Sequence, residues 1–294
     1  SPTQESISQV QVADLNFDGY REIVVLFDNG SINALFANKS HMNPYLSWSN
    51  EVNLLQDATL RDFTLEDLDL NGYMDIVTVD TSNNVKLFNN SNGVISNNCY
   101  GSAITKNNLG EMSNEIQAAD FDNDGDKDLV FALNNNSIAL LENPWMYNRS
   151  LPRLTYERLW DSSQDLKITM MNPENPGSNT DGTITMKIYD YDEDGWLDIL
   201  SGHENGQIYG WKNIGLNVEE INENSLGDII ELIPEKTNHR IVDVDYGDLD
   251  RDGDLDIIIA YDYKLGTEPK VSVFLNPGIR NIYAEAKFNE IVFE

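Results

Sequence analysis

The feature that most constrains this chain is a nine-residue motif, D-x-[DN]-x-[DN]-G-x-x-[DE], that occurs five times without gaps. The copies begin at Asp14, Asp67, Asp120, Asp190 and Asp248, which are 53, 53, 70 and 58 residues apart. A period of about 50 residues is typical of a four-stranded propeller blade. The sequence therefore predicts one repeated architecture along the chain.

The residues that flank each motif have the periodicity of β-strands. Val10 and Val12 alternate with glutamines before the first motif, which is the two-residue period of a strand. After the motif comes a short apolar run, residues 23–25, that suits a strand covered on both faces. A third strand then ends at a recurring asparagine, and a variable fourth strand, for example residues 154–160, completes a unit. The recurring asparagines are Asn38, Asn90, Asn143, Asn213 and Asn276.

We predict an all-β fold, a β-propeller of five four-stranded blades in a single domain over residues 1–294. A closed five-bladed ring is favoured over part of a larger propeller, because the first unit starts at its innermost strand and the last ends at its outermost. The repeat units lie at about 5–58, 59–113, 114–182, 183–238 and 239–294.

The chemistry of the motif indicates a calcium site. Positions 1, 3, 5 and 9 carry carboxylates or amides, position 7 can offer a backbone carbonyl, and the glycine at position 6 permits a sharp turn. Oxygen ligands on a flexible loop suit Ca²⁺ better than Zn²⁺ or Mg²⁺. We therefore predict up to five calcium ions. The predicted ligands are Asp14, Asn16, Asp18, Tyr20 and Glu22; Asp67, Asp69, Asn71, Tyr73 and Asp75; Asp120, Asp122, Asp124, Asp126 and Asp128; Asp190, Asp192, Asp194, Trp196 and Asp198; and Asp248, Asp250, Asp252, Asp254 and Asp256.

Two other interpretations of the motif are weaker. An EF-hand needs a glutamate at position 12 and flanking helices, whereas position 12 here is an apolar or hydroxyl residue inside the next predicted strand. A solvated turn that binds no metal would explain one copy, but five copies in register argue against it. The first two loops contain an asparagine, Asn16 or Asn71, so we expect their sites to be weaker.

The five loops with their flanking strands resemble the FG-GAP/VCBS repeats of integrin α-subunit propellers and related surface proteins. The resemblance covers essentially the whole chain and implies four-stranded blades that hold calcium between their first and second strands. Integrin-type propellers typically have about seven blades, whereas five repeats are visible here. The Phe-Gly and Gly-Ala-Pro signatures are also absent, so the likeness is nearer to the VCBS branch.

Composition limits the class of partner. The chain has 50 acidic and 19 basic residues and a formal charge of −31, so its net field repels nucleic acid. A hydrophobic content of 40% argues against disorder, and no apolar run approaches the ~20 residues of a membrane span. Cys99 is the single cysteine, which excludes an internal disulfide. The opening at Ser1 is read as that of a processed protein or a fragment.

The predicted function is a calcium-binding, extracellular or cell-surface module for protein interaction, adhesion or scaffolding. Extracellular loops of this kind bind calcium at about 10⁻⁴–10⁻³ M, which cytosolic calcium would not fill. We predict no enzymatic activity, because His41, His203 and His239 lie far apart and outside any catalytic motif, as surface or turn residues. The alternatives are a lectin, or the propeller of a polysaccharide- or lipid-degrading enzyme. The expected partner is a protein or a glycan, and the chain is compatible with a place in a larger chain or assembly.

The long third repeat suggests a binding surface. Residues 161–182 form an insertion of loop composition, which we expect between the fourth strand and the next blade, away from the calcium loops. An insertion without a role is the alternative. The sequence thus predicts partner binding and calcium binding on opposite faces.

Overall fold

A computed structural model describes the chain over residues 5–38, 47–48, 51–90, 93–100, 102–143, 168–171, 182–215, 226–233, 239–263, 270–276 and 289–293. These residues form β-strands and turns, and no helix occurs among them. The described part accordingly holds no helix that is long and apolar enough to cross a bilayer. The chain divides into two compact units, Ser1–Met112 with Asn143–Lys167 and Ser113–Glu142 with Ile168–Glu294.

The first unit contains two four-stranded antiparallel sheets. The first sheet consists of β1 (Ile7–Ala13), β2 (Glu22–Phe27), β3 (Ser31–Leu35) and β6 (Val52–Gln56). A two-stranded ladder, β4 (Ala37–Asn38) and β5 (Ser47–Trp48), lies between β3 and β6 in the chain. The second sheet consists of β7 (Leu60–Glu66), β8 (Asp75–Asp80), β9 (Asn84–Phe88) and β10 (Ile104–Asn108).

The second unit contains three sheets of the same kind. The third sheet consists of β11 (Ser113–Ala119), β12 (Asp128–Leu133), β13 (Ile138–Leu141) and β14 (Ile168–Met171). The fourth consists of β15 (Thr183–Tyr189), β16 (Asp198–His203), β17 (Ile208–Asn213) and β18 (Leu226–Ile233). The fifth consists of β19 (His239–Gly247), β20 (Asp256–Tyr263), β21 (Lys270–Leu275) and β22 (Asn289–Phe293).

These sheets confirm the predicted fold class, an all-β propeller architecture of five four-stranded blades. In each sheet the chain runs from one strand to its neighbour, and the predicted apolar second strands β8, β12 and β16 are buried along their whole length. Ring closure and the single domain over residues 1–294 stay predictions.

Inside each unit, side chains of one first strand bond to the backbone of the next. The amide of Gln11 donates to the Phe63 carbonyl oxygen at 2.7 Å, and the Phe63 N–H donates to the side chain of Gln9 at 3.0 Å. In the second unit Gln117 donates to the Met186 carbonyl oxygen, also at 2.7 Å. The polar residues that alternate with apolar ones before each motif therefore link neighbouring sheets.

The first strand β1 differs from the strands that occupy the same place in other sheets. Val10 is 52% exposed, whereas Phe63, Met186 and Val244 at the matching positions are at most 1% exposed. Leu249, at position 2 of the fifth motif, is 47% exposed, although that position is otherwise buried. The alternation that predicts a strand therefore does not by itself predict burial.

The fourth strand of the third sheet lies at a different place in the sequence from the one we predicted. It is β14, residues 168–171, paired with β13 so that Leu141 lies opposite Ile168. Residues 154–160, the predicted strand, lie outside the described residues. The supposed insertion 161–182 therefore contains the outer strand, because a short apolar run in register with β13 pairs there.

The position of β14 also changes where the long connections lie. Between third and fourth strands there are 12 to 26 residues, whereas 3 to 11 residues join a fourth strand to the next sheet. In an antiparallel meander the third-to-fourth connection lies at the same end of the sheet as the first-to-second loop. The expectation that residues 161–182 face away from the acidic loops is therefore wrong for residues 161–167, which precede β14, whereas residues 172–182 join β14 to the next sheet as expected.

Candidate metal centres

Each acidic motif forms the loop between the first and second strands of its sheet. We call these loop 1 to loop 5, residues 14–22, 67–75, 120–128, 190–198 and 248–256. The glycine at position 6 has a positive φ in all five, as predicted, between 86° and 102°. Position 4 also has a positive φ, which sequence reasoning missed because that position carries five different residue types. These residues are Phe17, Leu70, Asn123, Glu193 and Arg251.

The first aspartate organises the turn. In loop 2 one oxygen of Asp67 accepts the Gly72 N–H at 2.8 Å, and the other accepts the Asn71 N–H at 2.9 Å. Asp190 in loop 4 makes the same pair of bonds to Gly195 and Asp194 at 2.8 and 3.0 Å. The side chain at position 1 is therefore held in place before any ion binds.

The acid at position 9 is buried and anchors the loop to the sheet. One of its oxygens accepts the N–H of position 2 in all five loops, at 2.8 to 3.2 Å. The other oxygen of Asp75, Asp198 and Asp256 accepts the N–H of the asparagine that ends or follows the third strand, at 2.7 to 2.9 Å. The recurring asparagine was visible in the sequence, but its connection to the loop was not.

In four loops the structure brings three carboxylates together. Their oxygens lie within 4.8 Å of one another. The groups are Asp67, Asp69 and Asp75; Asp120, Asp122 and Asp124; Asp190, Asp192 and Asp194; and Asp248, Asp250 and Asp256. Within the described residues loop 1 has no such group of three acids, and its position 3 is Asn16. The position-7 carbonyls stay predicted ligands.

Burial and mutual repulsion raise the pKa of several loop carboxyls. Burial, with the charges of Asp69 and Asp67, raises the pKa of Asp75 to about 8. Burial, then Asp124, raises the pKa of Asp122 to about 7, and burial, then Asp192, does the same for Asp198. The loops therefore concentrate more negative charge than their own hydrogen bonds stabilise.

Among the described residues, a buried carboxylate oxygen without a hydrogen-bond partner occurs in loops 1, 3 and 4. These oxygens are Glu22 Oε1 in loop 1, Asp120 Oδ1 in loop 3 and Asp192 Oδ1 in loop 4. Leaving such an oxygen buried and unsatisfied is costly, and coordination to a cation would remove that cost. The donor set consists of oxygens, so a hard divalent cation fits these loops.

Loop 4 differs from the others because a lysine enters it. The Lys212 ammonium forms ion pairs with Asp192 and, at 2.7 Å, with Asp194. The Lys212 side chain is 25% exposed. Part of the negative charge of this loop is therefore neutralised by the protein itself.

Aromatic side chains lie beside the acidic loops. Phe17 of loop 1, 51% exposed, packs edge-to-face on Tyr73 of loop 2 with ring centroids 5.8 Å apart. Position 7 is Tyr20, Tyr73 and Trp196 in three of the loops. Aromatic side chains therefore recur at position 7 of loops 1, 2 and 4.

A cleft in the second unit lies against loops 4 and 5. It is lined by Tyr189, Tyr191, Glu193, Asp254 and Asn276, among others. The ring of Tyr246 packs on Tyr189 and Tyr191, with centroids 4.6 and 5.6 Å apart. Aromatic faces beside carboxylate and amide groups are the chemistry of a polar, ring-shaped ligand.

One histidine takes a different place from that expected. His203 is fully buried in β16, where Nε2 lies 2.8 Å from the Ser201 hydroxyl, and that hydroxyl accepts the Trp211 indole N–H. It is a core residue rather than a surface or turn residue. Trp211 is buried as well. His239 begins β19, and His41 lies outside the described residues.

The family model for the FG-GAP-like repeat matches residues 67–131 and 190–259, which contain loops 2, 3, 4 and 5. The chain carries FG-GAP-like repeats. No curated protein sequence matches the chain.

Solved structures show the likeness of the fold. The chain of "Apo ctPRC2 in an autoinhibited state" matches with a TM-score of 0.55 and 11% identity, over 94% of this chain and 51% of that one. That of "Chaetomium thermophilum Polycomb Repressive Complex 2 bound to GSK126" matches with a TM-score of 0.52 and 10% identity, over 95% of this chain and 53% of that one. The FG-GAP-like protein thus spans about half the length of these chains.

Proposed function

We propose that this FG-GAP-like protein is a calcium-binding propeller module that recognises a protein partner outside the cell. The observation that carries the proposal is the grouping of carboxylates within 4.8 Å in four loops, with buried oxygens that lack partners. Oxygen-only ligands on loops with a glycine turn favour calcium among the common divalent cations. In a calcium-bound loop, the carboxylates at positions 1, 3 and 5 would hold the ion.

The extracellular setting follows from the affinity expected of such loops. Sites of this type bind at about 10⁻⁴–10⁻³ M and fill only where calcium is abundant. Five bound ions would change the formal charge from −31 to −21. Ion binding therefore relieves much of the repulsion within an acidic chain.

The end of each sheet that carries the acidic loop is the better candidate for partner binding. The third-to-fourth connections, the longest in every sheet, lie at that end. The exposed Phe17 ring, which packs on the half-buried Tyr73, lies there too and can supply aromatic contact area. Partner binding at that end would depend on calcium, because the ions fix the loops that present these side chains. FG-GAP-like repeats and the propeller architecture support an interaction role, whereas the likeness to solved structures extends to the fold alone.

Chelation tests the proposal. We expect excess chelator to lower the melting temperature by at least about 10 °C, because each ion that binds only the folded state stabilises it by mass action. Calcium should restore the melting temperature and magnesium should restore little of it. The measurement is thermal unfolding followed by circular dichroism. An identical melting curve with and without chelator would overturn the calcium assignment.

A glycan ligand is the second candidate, favoured by the tyrosine-lined cleft beside loops 4 and 5. We expect any glycan hit on an array to be lost with Tyr189→Ala, because Tyr189 is 40% exposed and lines the cleft. Phe17→Ala is the matched control, because it removes an exposed aromatic outside the cleft. An array without hits in calcium, or hits that survive Tyr189→Ala, would exclude the cleft as a glycan site.

A further inference from the structure

One residue beside each loop differs in charge from repeat to repeat. It immediately precedes the recurring asparagine, and we call it the flanking position. The flanking residues of the five sheets are Ala37, Asn89, Glu142, Lys212 and Leu275. Within the nine-residue motif, position 4 also ranges from an anion, Glu193, to a cation, Arg251.

The structure explains why this position lies next to the ion site. The Asn213 N–H donates to Asp198 at 2.7 Å, and Asn90 and Asn276 make the same bond to Asp75 and Asp256. The asparagine is thereby fixed to position 9 of its loop. Because neighbouring residues of an extended chain point in opposite directions, the preceding side chain is directed differently and can reach the acids.

Three flanking side chains act on position 3 of their loop. Asn89 donates to Asp69 at 2.8 Å, and the Lys212 ammonium bonds to Asp192 and also reaches position 5, Asp194, at 2.7 Å. The negative charge of Glu142 adds to burial and to Asp124 in raising the pKa of Asp122. An amide, a cation and an anion thus occupy corresponding places at three otherwise similar loops.

We propose that the flanking residue sets the relative calcium affinity of the loops, so that loop 4, with Lys212, binds most weakly. The inference rests on the proposed calcium-binding function. A calcium ion entering loop 4 must displace an ammonium from two carboxylates, and its double charge is repelled by the ammonium while the lysine remains near.

This ranking differs from the one that the motif alone predicts. By motif, loops 1 and 2 are the weaker sites because they contain Asn16 and Asn71, and loop 4 has a complete set of acids. The flanking residue lies 18 residues beyond Asp194, in another strand, so the motif does not include it.

Loop 4 can be followed separately because it is the one loop of the five that contains a tryptophan, Trp196. Terbium occupies oxygen-rich calcium sites and its luminescence is excited through a nearby indole. We expect Lys212→Met to lower the half-saturating terbium concentration of this signal at least about tenfold, because one positive charge is removed from the site. Trp196→Phe should abolish the signal and thereby assign it to loop 4.

Matched variants separate the site from the total charge. Lys187→Met makes the same change at a lysine that lies 3.8 Å from Glu115 and Asp243, away from the loop acids, and should leave the signal unchanged. The reciprocal variant Leu275→Lys should weaken one calcium site about tenfold in calorimetry, and it keeps the test open should Lys212→Met fail to fold.

The outcomes distinguish this inference from the proposed function. Calcium binding by the wild-type protein that is unaffected by Lys212→Met and Leu275→Lys would overturn the inference and leave the function standing. A wild-type protein that binds no calcium in calorimetry would overturn both.

Discussion

At the scale of single residues, we expect the acids of the loops to have opposite effects on the melting temperature with and without calcium. Asp122 has a pKa raised to about 7 by burial and then by Asp124, so its charged form is unfavourable in the metal-free protein. We expect Asp122→Asn to raise the melting temperature by a few degrees in chelator, because one repelling charge is lost. In calcium the same variant should lower the melting temperature, because the ion loses a ligand.

The control for Asp122→Asn is Glu111→Gln, an exposed acid outside the loops, which should change neither curve by more than about 2 °C. A decrease of the melting temperature for Asp122→Asn in both conditions would show that Asp122 is a structural hydrogen-bonding residue rather than a ligand.

Asp181, in the sequence-predicted insertion, lies outside the described residues and is predicted to be replaceable by alanine without loss of folding.

The loop residues show how far sequence reasoning reaches at this scale. Acid positions and the turn glycine could be predicted, because calcium and a positive φ each demand particular residue types. The left-handed backbone at Phe17 and Arg251 could not, because the loop imposes a conformation that neither residue favours. The contact of Lys212 with Asp192 also depends on strand pairing that the motif does not encode.

At the scale of elements, the recurring asparagine connects strands with loops. The buried amide of Asn213 donates to the carbonyl oxygen of Phe121, in loop 3, at 2.9 Å, and its oxygen accepts the Gly215 N–H at 3.1 Å. We expect Asn213→Ala to reduce the free energy of unfolding by about 1–3 kcal/mol, because the buried carbonyl loses its donor. Denaturant unfolding at saturating calcium measures the change.

Asn108→Ala is the matched control, because the Asn108 amide also donates to a backbone carbonyl, that of Ser82, but at the exposed surface. Water can replace that bond, so the cost should be below about 0.5 kcal/mol. Equal costs for the two variants would contradict the role assigned to Asn213.

First, second and third strands were predictable, whereas fourth strands were not. The buried strands β8 and β12 are apolar throughout, and that composition is visible in the sequence. β14 is the outer strand of its sheet and pairs on one side only, so its pattern is less constrained. The two-stranded ladder β4–β5 consists of two-residue strands, which are too short for a periodic signal.

At the scale of the whole molecule, the raised carboxyl pKa values link stability to pH. The pKa of Asp75 is about 8 in the folded metal-free protein and about 3.8 when unfolded, so between these values the folded state binds more protons. The free energy of unfolding therefore falls as pH rises through this window. We expect the melting temperature in chelator to be higher at pH 6 than at pH 8.

Calcium should reverse this dependence, because ion binding requires ionised carboxylates and improves as pH rises. Asp57 has the opposite effect on the pH dependence of stability, because its pKa is lowered rather than raised. Its titration sets the lower end of the pH range in which the folded protein is stable. Despite partial burial, bonds from Lys86 and Thr59 lower its pKa to about 2, so its contribution is lost only as pH falls toward that value. A melting temperature that rises from pH 6 to pH 8 in chelator would contradict the assignment of repelling acids.

The placement of each acidic loop within its sheet has a consequence for the kinetics of folding. Every sheet is formed by one continuous stretch of chain, and the loop joins the first two of its strands. The hairpin that must pair before an ion can bind is therefore local in sequence and forms early. During synthesis each hairpin emerges before the rest of its sheet, and bound calcium would hold it until the outer strands arrive. Ion uptake would then proceed from loop 1 toward loop 5, and we expect calcium to accelerate folding as well as to stabilise its product.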